Sequence, residues 1–317
     1  MTHSNMIGWV EDYLAFRRGL GFELETPAWS LRSLARYAEQ VGHCGPITVD
    51  LATRWALTTR SRDPAQAARR LKIIRSFAQH RALIDPATEV PPPGLLGQVP
   101  RRKQPHIYSD AEIAQLLHQA GHLLPRGGLR PRTYVAFFSL LISTGLRLSE
   151  ACHLTCSDVD LDHHLLRIRE SKCRKSRWVP LHPSATSALI RYATYRDSIV
   201  GSDPSGYFFC TEHIPKLTLA AVKKTFARIR HRLGWRAQGR ARRPHLHDAR
   251  HTFTVRRLLR WYEEGANVGQ KILALSTYLG HAKATDTYWY LTGVPELMAI
   301  ASHRFECPAQ QQQEGAS

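Results

Sequence analysis

Apolar side chains recur every three to four positions through the first ninety residues, which is the spacing of helices that bury one face. Gly21 and Gly42 end the first two apolar stretches, and Thr26 followed by Pro27 is typical of a helix start. The pattern predicts four helices, at about 5–20, 26–41, 48–59 and 63–83. Residues 1–90 are therefore predicted to form a compact helical domain with basic outer faces.

Residues 91–107 differ in composition from the segments on either side. They are rich in Pro and Gly, which resist regular structure, and the segment is predicted to link two domains. Three basic residues, Arg101, Arg102 and Lys103, lie at its centre and suit a strap along a DNA backbone.

Helical periodicity returns at Ser109, a predicted N-cap followed by acidic residues in the first turn. Two short alternating runs, Leu165–Arg169 and Trp178–Leu181, predict strands joined by a charged turn, and Phe208–Phe209 is a candidate third strand. Further helices are predicted at about 132–143, 148–154, 183–199, 218–234, 246–262, 268–279 and 294–304. The fold class is therefore mainly α with a small antiparallel β-sheet, and residues 306–317 are predicted to be a disordered tail.

The net charge of +18 and the pI near 10.1 indicate a polyanionic partner, most simply nucleic acid. The charge is clustered: thirteen Lys or Arg lie between Lys223 and Arg260, and Asp248 is the sole acidic residue in that stretch. A solvated basic surface or an acidic membrane are the alternatives, but the stretch has no interfacial anchor pattern. Besides the linker residues, candidate DNA contacts are Arg174, Lys175, Lys223, Lys224, Arg242 and Arg243.

Several classes of protein are disfavoured. The chain has no run of about 18 apolar residues and no basic-then-apolar N-terminus, so neither a membrane span nor a secretory signal is expected. Its six cysteines lack framework spacing and are predicted to be reduced thiols in a cytoplasmic protein.

Six side chains could together attack a phosphodiester: Arg147, Lys172, His247, Arg250, His281 and Tyr290. Arginine forks and a histidine can hold the non-bridging oxygens without a metal, a tyrosine can attack, and a lysine can protonate the leaving oxygen. Plainer roles are also open to these residues. Arg147 could cap a helix and form an ion pair with Glu150, three residues further on. Lys175 is the alternative to Lys172 as the proton donor, and Tyr288 and Tyr278 are the alternatives to Tyr290 as the nucleophile.

A metal site is the other use for these residues. His245, His247 and His251 have the spacing H-x-H-x3-H, which matches no strong zinc pattern, and Cys152 and Cys156 have no partner pair. No metal and no cofactor is therefore expected.

The chain resembles the tyrosine recombinases of the phage integrase family. The resemblance is carried by five motifs in family order: TGLRLSE, KCRKSRWVPL, HDARHTF, LGH and TYWYL. It implies a SAM-like helical core-binding domain at 1–90 and a mixed α+β catalytic domain at 108–305. One departure is Ala249, where the family often has a larger apolar residue.

The resemblance also implies roles. Arg147 and Arg250 would grip the scissile phosphate, His247 would donate to it or accept the tyrosine proton, and Lys172 would protonate the 5′ oxygen. His281 would bind the phosphate or position the nucleophile, Tyr290 would form a 3′-phosphotyrosyl link, and Glu150 would support Arg147 from behind. The implied partners are duplex DNA with specific recombination sites and a homo- or hetero-tetramer, and the stretch DTYWYLTGVPELM at residues 286–298 resembles transposon-borne enzymes. Alternatives are a DNA-binding accessory or inactive recombinase subunit, a type IB topoisomerase-like enzyme and a metal-dependent nuclease.

Overall fold

The computed structural model describes residues 6–61, 63, 65–98, 104–171, 175–237, 243–281, 283 and 285–293. Its contacts divide the chain into two compact units, Met1–Arg102 and Lys103–Ser317. Within the described residues no helix has both the length and the apolar content needed to cross a membrane.

The first unit is built from four helices: α1 (Met6–Gly19), α2 (Glu25–Gln40), α3 (Val49–Leu57) and α4 (Ala65–Ala82). They enclose a core that includes Trp55, Phe77 and Leu14. Thr48 caps α3 as its side chain accepts from Leu51 N. The prediction for α2 was wrong at its start, because the N-cap is Leu24 in the left-handed region and Thr26 lies inside the first turn.

The second unit contains eight helices and three strands in the described residues. The helices are α5 (Asp110–Gly121), α6 (Leu129–Thr144), α7 (Leu148–His153), α8 (Pro183–Val200), α9 (Leu219–Arg232), α10 (Asp248–Glu263), α11 (Val268–Leu279) and α12 (Thr285–Gly293). The strands are β1 (Val159–Asp160), β2 (Leu165–Ser171) and β3 (Lys175–Pro180). This mostly helical architecture with one small sheet confirms the predicted fold class.

The sheet is antiparallel in the order β1-β2-β3, and Leu166 pairs with Val179. The predicted third strand at Phe208–Phe209 was wrong, because both rings are buried in the core and β1 fills that place in the sheet. Backbone hydrogen bonds hold Phe208 and Phe209 to Leu154 and Leu217 instead of to a strand.

Helix ends in the second unit follow their local sequence. Ser109 is the N-cap of α5, as the sequence predicts, and Glu112 completes a capping box with it. Gly145 ends α6 at φ 63° and Gly280 ends α11 at φ 67°, a left-handed conformation that favours glycine. These two helix ends supply the backbone carbonyls around which the candidate site is built.

Candidate active site

Arg147 occupies the N-cap position of α7, directly after the turn that ends α6. Its backbone N–H donates to Glu150 Oε2 at 2.9 Å and its Nη1 donates to Glu150 Oε1 at 2.7 Å. Its Nη2 donates to the carbonyl of Gly280 at 2.5 Å. The helix-cap and ion-pair alternatives are therefore both present, but they fix the guanidinium in a half-buried site rather than on the surface.

Arg177 on β3 completes this arrangement, and sequence reasoning missed it. Its Nη1 and Nη2 donate to the two oxygens of Glu150 at 2.9 Å each, and its Nε donates to the carbonyl of Tyr278 at 2.7 Å. A signal was available, because Arg177 shares a strand face with Val179, which is fully buried. The alternation of β3 thus turns this arginine inward.

Glu150 is buried and is held by both arginines. Burial raises the pKa of its carboxyl, but the hydrogen bonds and charge of Arg177, together with the hydrogen bonds from Arg147, outweigh that effect. The pKa consequently lies below its ordinary value. Glu150 stays ionised near neutral pH and keeps both guanidinium groups in place.

Arg250 lies in the first turns of α10 and is 3 % exposed. Its Nη1 donates to Gly145 O at 2.8 Å and its Nη2 to Leu279 O at 2.6 Å. Burial, followed by the positive charge of Arg147, lowers the pKa of Arg250 to about 10. The group remains protonated at neutral pH, but its charge has no carboxylate bonded to it in these contacts.

The cluster of Arg147, Arg177 and Arg250 therefore carries excess positive charge. Glu150 is the carboxylate that two of them share, and backbone carbonyls hold the third. Such preorganised guanidinium groups suit an oxyanion with several oxygens, such as a phosphodiester. In the part of the chain that the structure describes, no group of three or more His, Cys, Asp or Glu side chains could hold a metal ion.

Tyr290 lies on α12 and is 3 % exposed. Its hydroxyl is 2.8 Å from Nδ1 of His251 on α10, a second residue to which the sequence analysis gave no role in the phosphodiester chemistry. Tyr288 is 43 % exposed, because two residues along a helix amount to about 200° round its axis and turn it away from the side that carries Tyr290. Tyr278 is packed against Phe253, and burial raises its pKa to about 12.

The two predicted histidines frame this cluster. His281 follows the end of α11, and its Nδ1 is 2.6 Å from the hydroxyl oxygen of Thr287, which is fully buried on α12. His247 lies at the N-terminus of α10 and is exposed, and the centroid of its ring is 4.9 Å from that of His251. His281 thus ties the end of α11 to the helix that carries Tyr290.

Of the remaining candidates, Lys223 and Arg243 line a cavity of about 680 Å³ together with Arg147 and His247, and Lys224 is exposed on α9. Lys175 begins β3, and its side chain is outside the description. Several other predicted residues lie outside the described part of the chain: Arg101, Arg102, Lys103, Lys172, Arg174 and Arg242.

Taken together, a buried tyrosine, clustered arginines and nearby histidines on a mainly helical fold are the residue types that attack on a phosphodiester requires. Comparison with known proteins agrees with this class. The phage integrase family matches residues 109–294. A protein of Sinorhizobium fredii (strain NBRC 101917 / NGR234), provisionally named integrase/recombinase y4rB, is 40% identical over 94% of this chain and 96% of its own.

Two further relatives widen the comparison. The tyrosine recombinase XerD of Brucella suis is 29% identical over 72% of this chain and 71% of its own. The solved Tn1549 transposon integrase, in complex with circular intermediate DNA, has a TM-score of 0.65 at 18% identity, covering 94% of this chain and 99% of that one. The chain belongs to the phage integrase family, and it is an enzyme of the tyrosine recombinase class that breaks and rejoins DNA strands. The resemblance predicted from the five motifs is thereby confirmed.

Proposed function

We propose that this enzyme is a site-specific DNA recombinase that cuts duplex DNA through a 3′-phosphotyrosyl bond to Tyr290. The observation that carries the proposal is the convergence of Arg147, Arg250 and Tyr290 on one cluster although they are far apart in sequence. The electrostatics of Arg250 support it: burial and the charge of Arg147 lower the pKa of Arg250, whereas Glu150 and Tyr290 raise it, which requires these groups to lie near one another.

The proposed chemistry assigns a role to each group. Arg147 and Arg250 hold the non-bridging oxygens with N–H groups other than those that bond to Glu150 and the backbone carbonyls, and His247 donates a further hydrogen bond. Tyr290 attacks phosphorus, and Lys172 protonates the departing 5′ oxygen. His281 positions α12 through Thr287. The phosphotyrosyl ester keeps the energy of the broken bond, so rejoining requires neither ATP nor a metal.

The proposed substrate is a pair of duplex sites. Exchanging two duplexes requires four strand cuts and each protomer supplies one nucleophile, so four protomers assemble on the paired sites. Sister recombinases can fill some of these positions. The proposed assembly acts on bacterial DNA in the cytoplasm, and the similarity to a transposon integrase supports a role in mobile-element transposition.

The domain assignment belongs to the same proposal. Residues 1–90 form the core-binding domain, 91–107 the linker and 108–305 the catalytic domain. The division of the chain into two compact units supports it. Exposed lysines on α9 and Arg243 near His247 support a DNA-facing surface on the catalytic domain.

The test is a trapping experiment with a nicked duplex built from the DNA that borders the gene for this chain. The nick lets a short 5′-hydroxyl strand diffuse away, so a covalent protein–DNA adduct accumulates and is measured on a denaturing gel. The adduct is expected in excess chelator and without ATP. Tight DNA binding with no adduct would refute cleavage and leave a DNA-binding accessory protein.

A further inference from the structure

His251 lies one helical turn after His247 on α10, so both rings project from the same side of the helix. Its Nδ1 is 2.8 Å from the hydroxyl oxygen of Tyr290, a distance at which the phenol can donate its proton into a hydrogen bond. Within the described residues, this contact joins the hydroxyl of the proposed nucleophile to an imidazole, a side chain that can accept a proton.

The ring of His251 is held by neighbours that fix its orientation. His247 meets it edge-on with ring centroids 4.9 Å apart, and Trp289 packs at 6.0 Å. The Tyr290 ring lies 5.4 Å away. Packing from two helices therefore aims Nδ1 at one atom, which is what a proton acceptor requires before the reaction begins.

Among the described residues, the charged and titratable groups that lie against this contact come from α10 and α12. His247 faces His251 from the same helix, and Tyr290 faces it from α12. Arg250, the preceding residue, turns its guanidinium to the carbonyls of Gly145 and Leu279.

We propose that His251 is the catalytic group that accepts the phenolic proton of Tyr290 when the tyrosine attacks, an inference that rests on the proposed function. As the Tyr290 Oη–P bond forms, the O–H bond breaks and its proton moves to Nδ1 of His251. The P–O5′ bond breaks, and the leaving oxygen receives a different proton from the general acid. Rejoining reverses each step, and His251 returns the proton to the phenol. His247 is then left to bind a non-bridging oxygen.

The first experiment uses the free full-length protein and needs no DNA. A 3-fluorotyrosine is placed at position 290, and its fluorine resonance is compared between the parent protein and His251→Gln and His251→Ala. The resonance is expected to move in the His251→Ala variant and to stay in place in His163→Gln, which alters an exposed histidine. An unmoved resonance in His251→Ala overturns the proposal, since the contact would then be absent.

The second experiment measures the first-order rate of adduct formation on the nicked duplex at saturating protein. Loss of a proton acceptor is expected to slow His251→Ala by about 10²-fold or more. Added imidazole should restore part of the rate in His251→Ala in proportion to its concentration. His251→Gln keeps a hydrogen-bonding group but cannot accept the proton, so it should be as slow as His251→Ala.

The pH dependence separates proton transfer from positioning. Without an acceptor, the rate of either variant should keep rising towards the ordinary pKa of a phenol, about 10, whereas the parent enzyme should level off earlier. A parent-like rate and pH profile in His251→Gln would overturn the proposal in favour of a purely positioning role. Failure of the parent enzyme to form an adduct would refute the proposed function, and the fluorine experiment would still report whether the His251–Tyr290 contact exists.

Discussion

The buried ion pair between Arg177 and Glu150 gives the sharpest stability prediction. The two side chains are 9% and 4% exposed, and two hydrogen bonds of 2.9 Å join them. Removing one partner of such a pair leaves a buried charge and costs about 3–5 kcal/mol. Because Arg147 still bonds Glu150, Arg177→Met is expected near the lower end, at about 3 kcal/mol of unfolding free energy.

The assay is urea unfolding of the full-length chain, with hydrogen exchange of the β2 and β3 amides reporting on the second unit. Arg54→Met is the matched control, since its ion pair with Asp50 is exposed at 55% and 68%. That variant should change the unfolding free energy by less than about 0.5 kcal/mol. If Arg177→Met lowers the unfolding free energy by less than about 1 kcal/mol, the two-bond Arg177–Glu150 pair is not buried as described.

A double variant separates stability from activity. Replacing both Arg177 and Glu150 by methionine removes both members of the buried pair, which is expected to restore part of the lost stability, since Arg147 then lacks its carboxylate. Adduct formation should not return, because Arg147 loses the carboxylate that orients its guanidinium. Recovery of both properties would show that Glu150 is dispensable for placing Arg147.

Three further predictions concern residues around the same cluster. Tyr290→Phe should abolish the covalent adduct on a denaturing gel, whereas Tyr288→Phe should keep it; the reverse pattern would move the nucleophile. Gly280 and Gly265 have nearly the same backbone angle, φ +67° and φ +69°, so alanine is strained equally at both. Only Gly280→Ala also brings its Cβ within 2.7 Å of the guanidinium of Arg177, whereas the Cβ of Gly265→Ala meets nothing within 4 Å. Thermal unfolding should therefore show the larger loss in Gly280→Ala, and equal losses would contradict the close approach. Burial raises the pKa of Glu150, but its two arginines lower that pKa by more, so it lies below its ordinary value in the folded protein. Glu150 therefore contributes its full stabilisation of the folded state above the ordinary value of about 4.3 and loses it as the pH falls. Acid titration of unfolding should show the parent losing stability relative to Glu150→Gln as the pH falls below that value, and parallel acid profiles would count against it.

Local signals in the sequence were sufficient for most elements. The capping box at Ser109 and Glu112 and the glycine stops at Gly145 and Gly280 act within one turn, so their outcome depends on few neighbours. The apolar pair at 208 and 209 was misinterpreted because a short buried run has no periodicity. Only its packing partners distinguish a strand from a core loop.

Some residues of the candidate site could be identified from the sequence, and others only from the structure. Motif order singled out Arg147, Arg250 and Tyr290, because their residue types match what attack on a phosphodiester requires. Arg177 and His251 were given no role in that chemistry, although the alternation along β3 and the four-residue step from His247 along α10 indicate which way they point. The residues that they contact lie far away in sequence, so no local pattern identifies them.

The sequence by itself determined the helical composition, the basic character and the family of this enzyme, since propensity, charge and motif spacing are properties of short stretches. Tertiary structure alone decided which groups meet. Arg147 reaches a carbonyl 133 positions away and Arg250 one that is 105 positions away. The physical reason is that buried guanidinium and phenol groups must find hydrogen-bond partners, and only the packing of α6, α10, α11 and α12 brings those partners within reach.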